Sequence, residues 1–226
     1  MPQLTTEVSA RDLHRFPFFA LLNDDALAAL ARAAYRRSYR SCVLLAEGAE
    51  AGDAYIVLAR GGVRFFRAAQ TGRDITLGAA RVGEPVDLYG TDEVGRPRDQ
   101  AEVTAPHTVV YHFPNEPFLR IIAAHPPAMG ALRALQARQF AEARDLIEEL
   151  ALYPAKSRLA HALAVLGRER KDGVVLLTQE QLAARIGARQ ADVCRALSCF
   201  HGLGYTARWP GQRGIVVNDP ERLAAL

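Results

Sequence analysis

Cysteine is scarce: Cys42, Cys194 and Cys199 are the only three in 226 residues, and no pair has C-x-x-C spacing. A disulfide framework is excluded and a cysteine-ligated structural zinc is not suggested, so stability must come from packing. Long apolar runs are also missing, and none approaches the roughly 18 residues that a membrane helix needs. The first thirty residues carry Glu7, Asp12, Asp24 and Asp25 where a leader would have a basic start and an apolar core. The expectation is a cytoplasmic protein with no membrane partner. Nucleophile motifs, Walker-type phosphate loops and H-E-x-x-H pairs are lacking too, which speaks against an enzyme.

What is present is 50% hydrophobic and 23% charged, enough to bury one or two cores. The net charge of +3 says little until it is divided along the chain. Residues 154 to 226 hold 11 Lys and Arg against 6 Asp and Glu, while residues 1 to 153 hold 17 against 19. The basic excess belongs to the last third, where it suits a phosphate backbone.

Residues 18 to 37 read as a helical stretch, with Asn23 or Asp24 as N-cap. From about Tyr39 to Phe113 short apolar or alternating runs (43 to 46, 55 to 59, 63 to 67, 75 to 79, 101 to 103 and 109 to 113) are punctuated by glycines, as in a barrel or jelly roll. After Pro126-Pro127, over residues 128 to 152, the apolar residues fall at mostly three and four spacing. This predicts a helix of about 24 residues, ~36 Å long. Its apolar residues Leu132, Leu135, Phe140, Ala143, Ile147 and Leu150 offer either a core face or a seam with a second copy, although the phase slips between Leu135 and Phe140.

Residues 179 to 198 follow a helix-turn-helix pattern. A first helix, 179 to 186, has the small Ala183 where two helices must approach, Thr178 as N-cap, and Gly187 where the chain turns sharply. Leu182, Ile186, Ala188, Val193 and Ala196 take the apolar positions that lock the two helices together. Downstream, 205 to 209 and 215 to 217 flank a Pro-Gly turn as a β-hairpin, and Asp219-Pro220 starts a last short helix. A winged helix-turn-helix is the expectation, with the second helix in a major groove of double-stranded DNA. Arg189 and Arg195 suit guanine, Gln190 suits adenine, and Asp192 suits either cytosine N4 or the orientation of a neighbouring arginine. Thr178, Gln179, Arg208 and Arg213 are placed for phosphate contact. Cys194 lies beside Arg195, where oxidation would add bulk and charge at the DNA surface.

From about residue 15 to residue 218 the chain resembles the cAMP-receptor/FNR superfamily of bacterial transcription regulators. The residues that carry the likeness are Gly48, Gly52-Asp53, Tyr55, Leu58 and Gly61-Gly62-Val63, then Gly83-Glu84, the stretch from Arg158 to Leu166, and Gln179 to Arg195. The resemblance implies an α+β chain: a cyclic-nucleotide-binding-like β-roll (jelly roll) over 1–125, a dimerisation helix over 126–152, and a winged helix-turn-helix over 153–226. It implies a homodimer on an inverted-repeat operator, with RNA polymerase as a further partner.

Departures from the family pattern bear on the effector. Cyclic AMP binders carry an Arg-Ser pair that takes the cyclic phosphate, and here Asp99 and Gln100 align with it. Arg98 is one residue out, on the opposite strand face. Six acids (Glu84, Asp87, Asp92, Glu93, Asp99, Glu102) lie between Gly83 and Val103 against Arg96 and Arg98, and Ala143 and Arg144 stand where the base-contacting hydroxyls would be. Cyclic AMP is therefore not the expected effector; any pocket would draw on Gly83, Glu84, Arg98 and Arg144. An iron-sulfur cluster is excluded within one chain by the cysteine count. Pro2, His14, His107 and His112 keep a haem open, and no cofactor is assigned. The alternatives to an unknown effector are a haem or other ligand, cysteine oxidation, or control by abundance. Ala191 replaces the family's glutamate on the reading helix, so the usual half-site is not expected.

Overall fold

A computed structural model describes residues 3–40, 43–45, 54–69, 73–87, 100–209 and 214–226. Pro2, Cys42, Gly48, Gly52, Asp53, Asp92, Glu93, Arg98, Asp99 and Arg213 lie outside the described residues. The chain forms two compact units, one of Met1–Arg67 and Leu77–Ala143, the other of Ala68–Thr76 and Arg144–Leu226.

Most of a β-roll makes up the first unit. A five-stranded sheet runs β1 (Gln3–Glu7), β2 (Tyr35–Tyr39), β8 (Thr108–Pro114), β3 (Ala54–Arg60), β6 (Pro85–Asp87); a three-stranded sheet runs β5 (Asp74–Ala79), β4 (Val63–Ala68), β7 (Gln100–Val103). Strand β3 is buried from Ala54 to Ala59, and its period of two sends side chains to two different cores. Tyr55, Val57 and Ala59 face a core shared with the helices. Ile56 and Leu58 face the roll interior with Tyr39, Val63, Val103 and Val110. Pairing of Ile56 with His112 and of Leu58 with Val110 holds β8 in the same phase.

Short helices close the outer face of the five-stranded sheet. Helix α1 (Ala10–His14) starts in a Ser9–Asp12 capping box, and α2 (Asp24–Ala33) is capped by Asn23, whose Oδ1 accepts from the Ala26 amide at 2.9 Å. The helix expected over 18 to 37 is thus shorter: a 3-10 turn occupies Phe19–Leu21, and Tyr35 onward is strand. The reason is tertiary, because Tyr35 stacks on His112 across β2 and β8 with ring centroids 4.9 Å apart. Helix α3 (Asn115–Ala123) contributes Phe118, which packs with Phe18, Tyr55 and Phe113. Each fully buried ring of this kind stabilises the fold by about 1.5–3 kcal/mol.

Helix α4 (Pro126–Leu152) is 27 residues long, close to the length expected, yet only Ala128 and Leu132 of it are buried. Leu132 belongs to the helix-side core of the roll and Leu135 packs against it. Among the described residues no helix is long and apolar enough to cross a membrane.

In the second unit, α5 (Ala155–Glu169), α6 (Gln179–Ile186) and α7 (Gln190–Gly202) precede a hairpin of β10 (Thr206–Arg208) and β11 (Ile215–Val217), then α8 (Pro220–Ala224). A strand not expected from sequence, β9 (Val174–Val175), joins the hairpin as the third member of an antiparallel sheet ordered β10, β11, β9. One core ties these elements together, with Leu159, Leu163, Leu182, Ile186, Val193, Leu197, Phe200 and Val217 all buried.

Candidate nucleic-acid interface

The helix-turn-helix is built from local signals. Thr178 caps α6: its Oγ1 accepts from the Gln181 amide at 3.1 Å, while the Thr178 amide donates to Gln181 Oε1 at 2.9 Å. This reciprocal box satisfies two of the amides that a helix start leaves open. The helix ends at Gly187, whose φ of +61° lies in the left-handed region. A Cβ there would also sit 2.7 Å from Leu150 Cδ2. Helix α7 begins two residues later with Arg189 as its N-cap.

Residue spacing then sorts α7 into two faces. Val193, Ala196, Leu197 and Phe200 are buried, and Ala188 packs against the same core. Arg189, Gln190, Ala191, Cys194, Arg195 and Ser198 are exposed, and Asp192 is partly so. Every base-reading candidate therefore lies on the open side or at the N-terminal end of one helix, where a groove-reading helix presents its contacts. Asp192 and Arg195 form an ion pair one turn apart. This pair is the contact that one of the two roles allowed by the sequence, orienting a neighbouring arginine, would need.

Thr178 and Gln179 are exposed at the start of α6, and Arg208 is exposed on β10. Their distribution around α7 fits contacts on a phosphate backbone, while Arg213 falls outside the described residues. Cys194 and Cys199 are both exposed, and the Cys194 carbonyl accepts from Ser198 Oγ at 3.0 Å.

The candidate effector residues are arranged differently from a free anion site. Gly83 is buried at φ +82°, where a Cβ would lie 2.6 Å from Phe16 Cδ1. Glu84 is ion-paired with Arg138 of α4. Arg138 also approaches Glu142 at 3.7 Å, and Glu142 accepts from Arg81 at 2.7 Å. The result is an alternating chain of charge, Glu84, Arg138, Glu142, Arg81, within the first unit. Glu102 likewise accepts from Arg64 at 2.6 Å, so two of the six acids counted in sequence already carry internal cations. Arg144 is exposed. Arg138 was not singled out in the sequence, because a helical arginine 54 residues from its carboxylate partner leaves no spacing signal.

The histidines kept open for haem separate by environment. His14 and His107 are exposed. His112 is only 3% exposed, stacks on Tyr35 and has Nε2 within 3.2 Å of Tyr39 Oη. Burial, aided by the Arg37 charge, pushes its pKa down to about 3, so the ring is neutral at physiological pH. Among the described residues no group of three or more His, Cys, Asp or Glu gathers to hold a metal.

Comparison with known proteins fits this geometry. Residues 157–226 match the Crp-like helix-turn-helix domain. The chain is 27% identical over 222 residues to a CRP-like cAMP-activated global transcriptional regulator of Mycobacterium tuberculosis, covering 94% of this chain and 96% of that one. It is 29% identical over 160 residues to the cyclic AMP receptor protein of Thermus thermophilus, covering 71% of this chain and 74% of the relative. In fold it resembles the crystal structure of a putative transcriptional regulator of the crp/fnr family from Eubacterium rectale, with a TM-score of 0.77 at 19% identity over 93% of this chain and 97% of that one. These relatives are regulators of transcription; residues 157–226 of the chain match the Crp-like helix-turn-helix domain, and the whole chain, a β-roll followed by a helix-turn-helix, has the fold of the crp/fnr regulator from Eubacterium rectale.

Proposed function

We propose that the protein regulates transcription as a homodimer, each copy placing α7 in one major groove of an inverted-repeat operator. The observation that carries this reading is the clean division of α7, with Arg189, Gln190 and Arg195 exposed opposite the buried Val193, Ala196, Leu197 and Phe200. Arg195 and Arg189 would read guanine and Gln190 adenine, with Ala191 against a thymine methyl. Thr178, Gln179, Arg208 and Arg213 would hold phosphates. RNA polymerase is the further partner that the likeness to transcription regulators suggests.

The dimer seam rests on α4. Leu132 and Leu135 are used within the protomer, but Phe140, Ala143 and Ile147 are exposed at three and four spacing, and Ile147 is 65% so. A helix about 40 Å long with so few buried residues needs a second surface, and a copy of itself supplies a matching seam. On this reading residues 1–125 sense, 126–152 dimerise and 153–226 bind DNA.

Two relatives are named for cyclic AMP, yet we infer a different effector here. Glu84 is occupied by Arg138, and Gln100 stands on β7 at one of the two places where cyclic AMP binders carry Arg-Ser. The test is gel shift and anisotropy with an operator selected from random duplexes, with and without cyclic AMP. Salt-sensitive, sequence-selective binding by a dimer, unchanged by cyclic AMP, is the expected result. Binding that appears only with cyclic AMP would overturn the effector reading, and equal affinity for every duplex would overturn the operator reading.

A further inference from the structure

The link between the end of α4 and the helix-turn-helix runs through one side chain. Helix α4 stops at Leu152, Tyr153 follows, and Pro154 opens α5 as its N-cap. Arg158, partly buried in the first turns of α5, turns its guanidinium back on three carbonyls. Nη1 donates to Tyr153 O at 2.6 Å, Nε to Ile186 O at 2.9 Å, and Nη2 makes a longer 3.4 Å contact with Gly187 O. The last two belong to the C-terminal end of α6 and its left-handed turn, where carbonyls have no intrahelical partner and the helix dipole is negative. The first belongs to the hinge. Beside this fork, Leu150 of α4 lies against Gly187, so near that a Cβ there would be 2.7 Å from Leu150 Cδ2.

A planar guanidinium spreads its fixed donors over three nitrogens and so reaches three separate carbonyls at once, whereas an ammonium offers its three donors from a single point on a flexible stem. We propose that Arg158 is a positioning residue for DNA recognition: it locks the turn between the two reading helices to the end of α4, so that the orientation of α7 is dictated by the long helix. The inference rests on the reading of the protein as a dimer on an inverted repeat. In such a dimer, locked heads accept only one separation of half-sites, while loosened heads accept several. An inserted base pair rotates one half-site by about 34° relative to the other at ~10.5 base pairs per turn, and a rigid clamp resists that rotation.

The test compares wild type, Arg158→Lys and Arg158→Met on the selected operator and on versions with one base pair added to or removed from the spacer. Circular dichroism and melting first establish that each variant is folded. Wild type is expected to favour the original spacing tenfold or more. Both variants should cut that preference to threefold or less, with the slope of affinity against salt unchanged, because Arg158 touches carbonyls and not phosphate. Lysine should not rescue, since it keeps the charge and loses the fork. If both folded variants keep the tenfold preference, Arg158 is only a stabilising contact and the proposal is overturned. A fall in salt slope makes it a phosphate contact, which also overturns it. Should wild type itself show no spacing preference, the inverted-repeat reading fails and this inference falls with it.

Discussion

Asp192 and Arg195 are joined by an ion pair along one turn of α7, on the face that is open to solvent. The pair is 33% exposed at the aspartate and 74% at the arginine, so it adds little to stability. Its consequence is directional: the carboxylate holds the guanidinium near the start of α7, and on the proposed reading it would aim Arg195 at the groove and disfavour contact with phosphate. Replacing Asp192 by Asn should raise affinity for random DNA while lowering the ratio of operator to random affinity about tenfold, or ~1.4 kcal/mol. Anisotropy titrations with operator and scrambled duplexes check this, and an unchanged ratio would remove Asp192 from the reading of sequence.

Arg195 and Arg208 should fail in different ways. Arg195→Ala should cost about 1–3 kcal/mol on the operator and relax preference at a single base position. Arg208→Ala should weaken all sequences alike and reduce the salt slope by about 2 per dimer, one contact from each copy. A binding series at four salt concentrations on operator and random DNA separates the two. Equal weakening of all sequences by Arg195→Ala would contradict its base-reading role.

Gly187 is required for two independent reasons, its φ of +61° and the nearness of Leu150. Gly187→Ala should destabilise the second unit by at least about 1–2 kcal/mol, the left-handed penalty for an L side chain, and weaken operator binding with it. Calorimetry should find the loss in the transition of the second unit and not in that of the first.

These local signals were the most legible part of the chain. Thr178, the alternation of Leu182, Ile186 and Val193, and Gly187 all lie within a few turns of one another, and α6 spans Gln179–Ile186 as its residues suggest. Strand β2 was not legible, because Tyr-Arg-Arg-Ser-Tyr continues a helical stretch in sequence and becomes a strand only through its pairing with β8. Strands β6 and β9, three and two residues long, likewise depend on partners far along the chain. For the candidate sites the same division holds: the exposed face of α7 followed from helical spacing, whereas the Glu84–Arg138 pair and the fork of Arg158 are products of tertiary structure. Local capping leaves a mark in sequence, and long-range charge pairing does not.

His112 gives the β-roll a pH dependence of known sign. Its pKa is lowered from 6.5 to about 3 by burial, with the Arg37 charge acting the same way, and Tyr35 and Tyr39 are the other titratable groups against it. Below 6.5 the unfolded chain takes up a proton that the folded chain refuses, so stability falls as pH drops and levels off near the folded value. Between pH 7 and pH 5 this contributes a loss of about 2 kcal/mol. His112→Gln should be less stable at pH 7 yet lose about 2 kcal/mol less over that interval, the carboxylate contributions being common to both proteins. Urea midpoints at the two pH values decide it, and parallel losses would place a solvated, titrating ring at position 112.

Ile147 tests the seam without disturbing the protomer, since its side chain is 65% exposed there. Ile147→Asp should leave the melting of the isolated protomer within about 0.5 kcal/mol and convert the dimer to monomer in sedimentation, with operator affinity lost at least a hundredfold. A dimer that survives the substitution would move the interface off α4.

The most direct test of the central claim is selection of bound sequences from a random duplex pool, followed by footprinting and the mass of the complex on the winning site. A homodimer reading with α7 predicts two copies on an inverted repeat whose half-sites are centred about one helical turn, ~34 Å, apart. A single copy on DNA, or a pool with no enriched sequence, would contradict it.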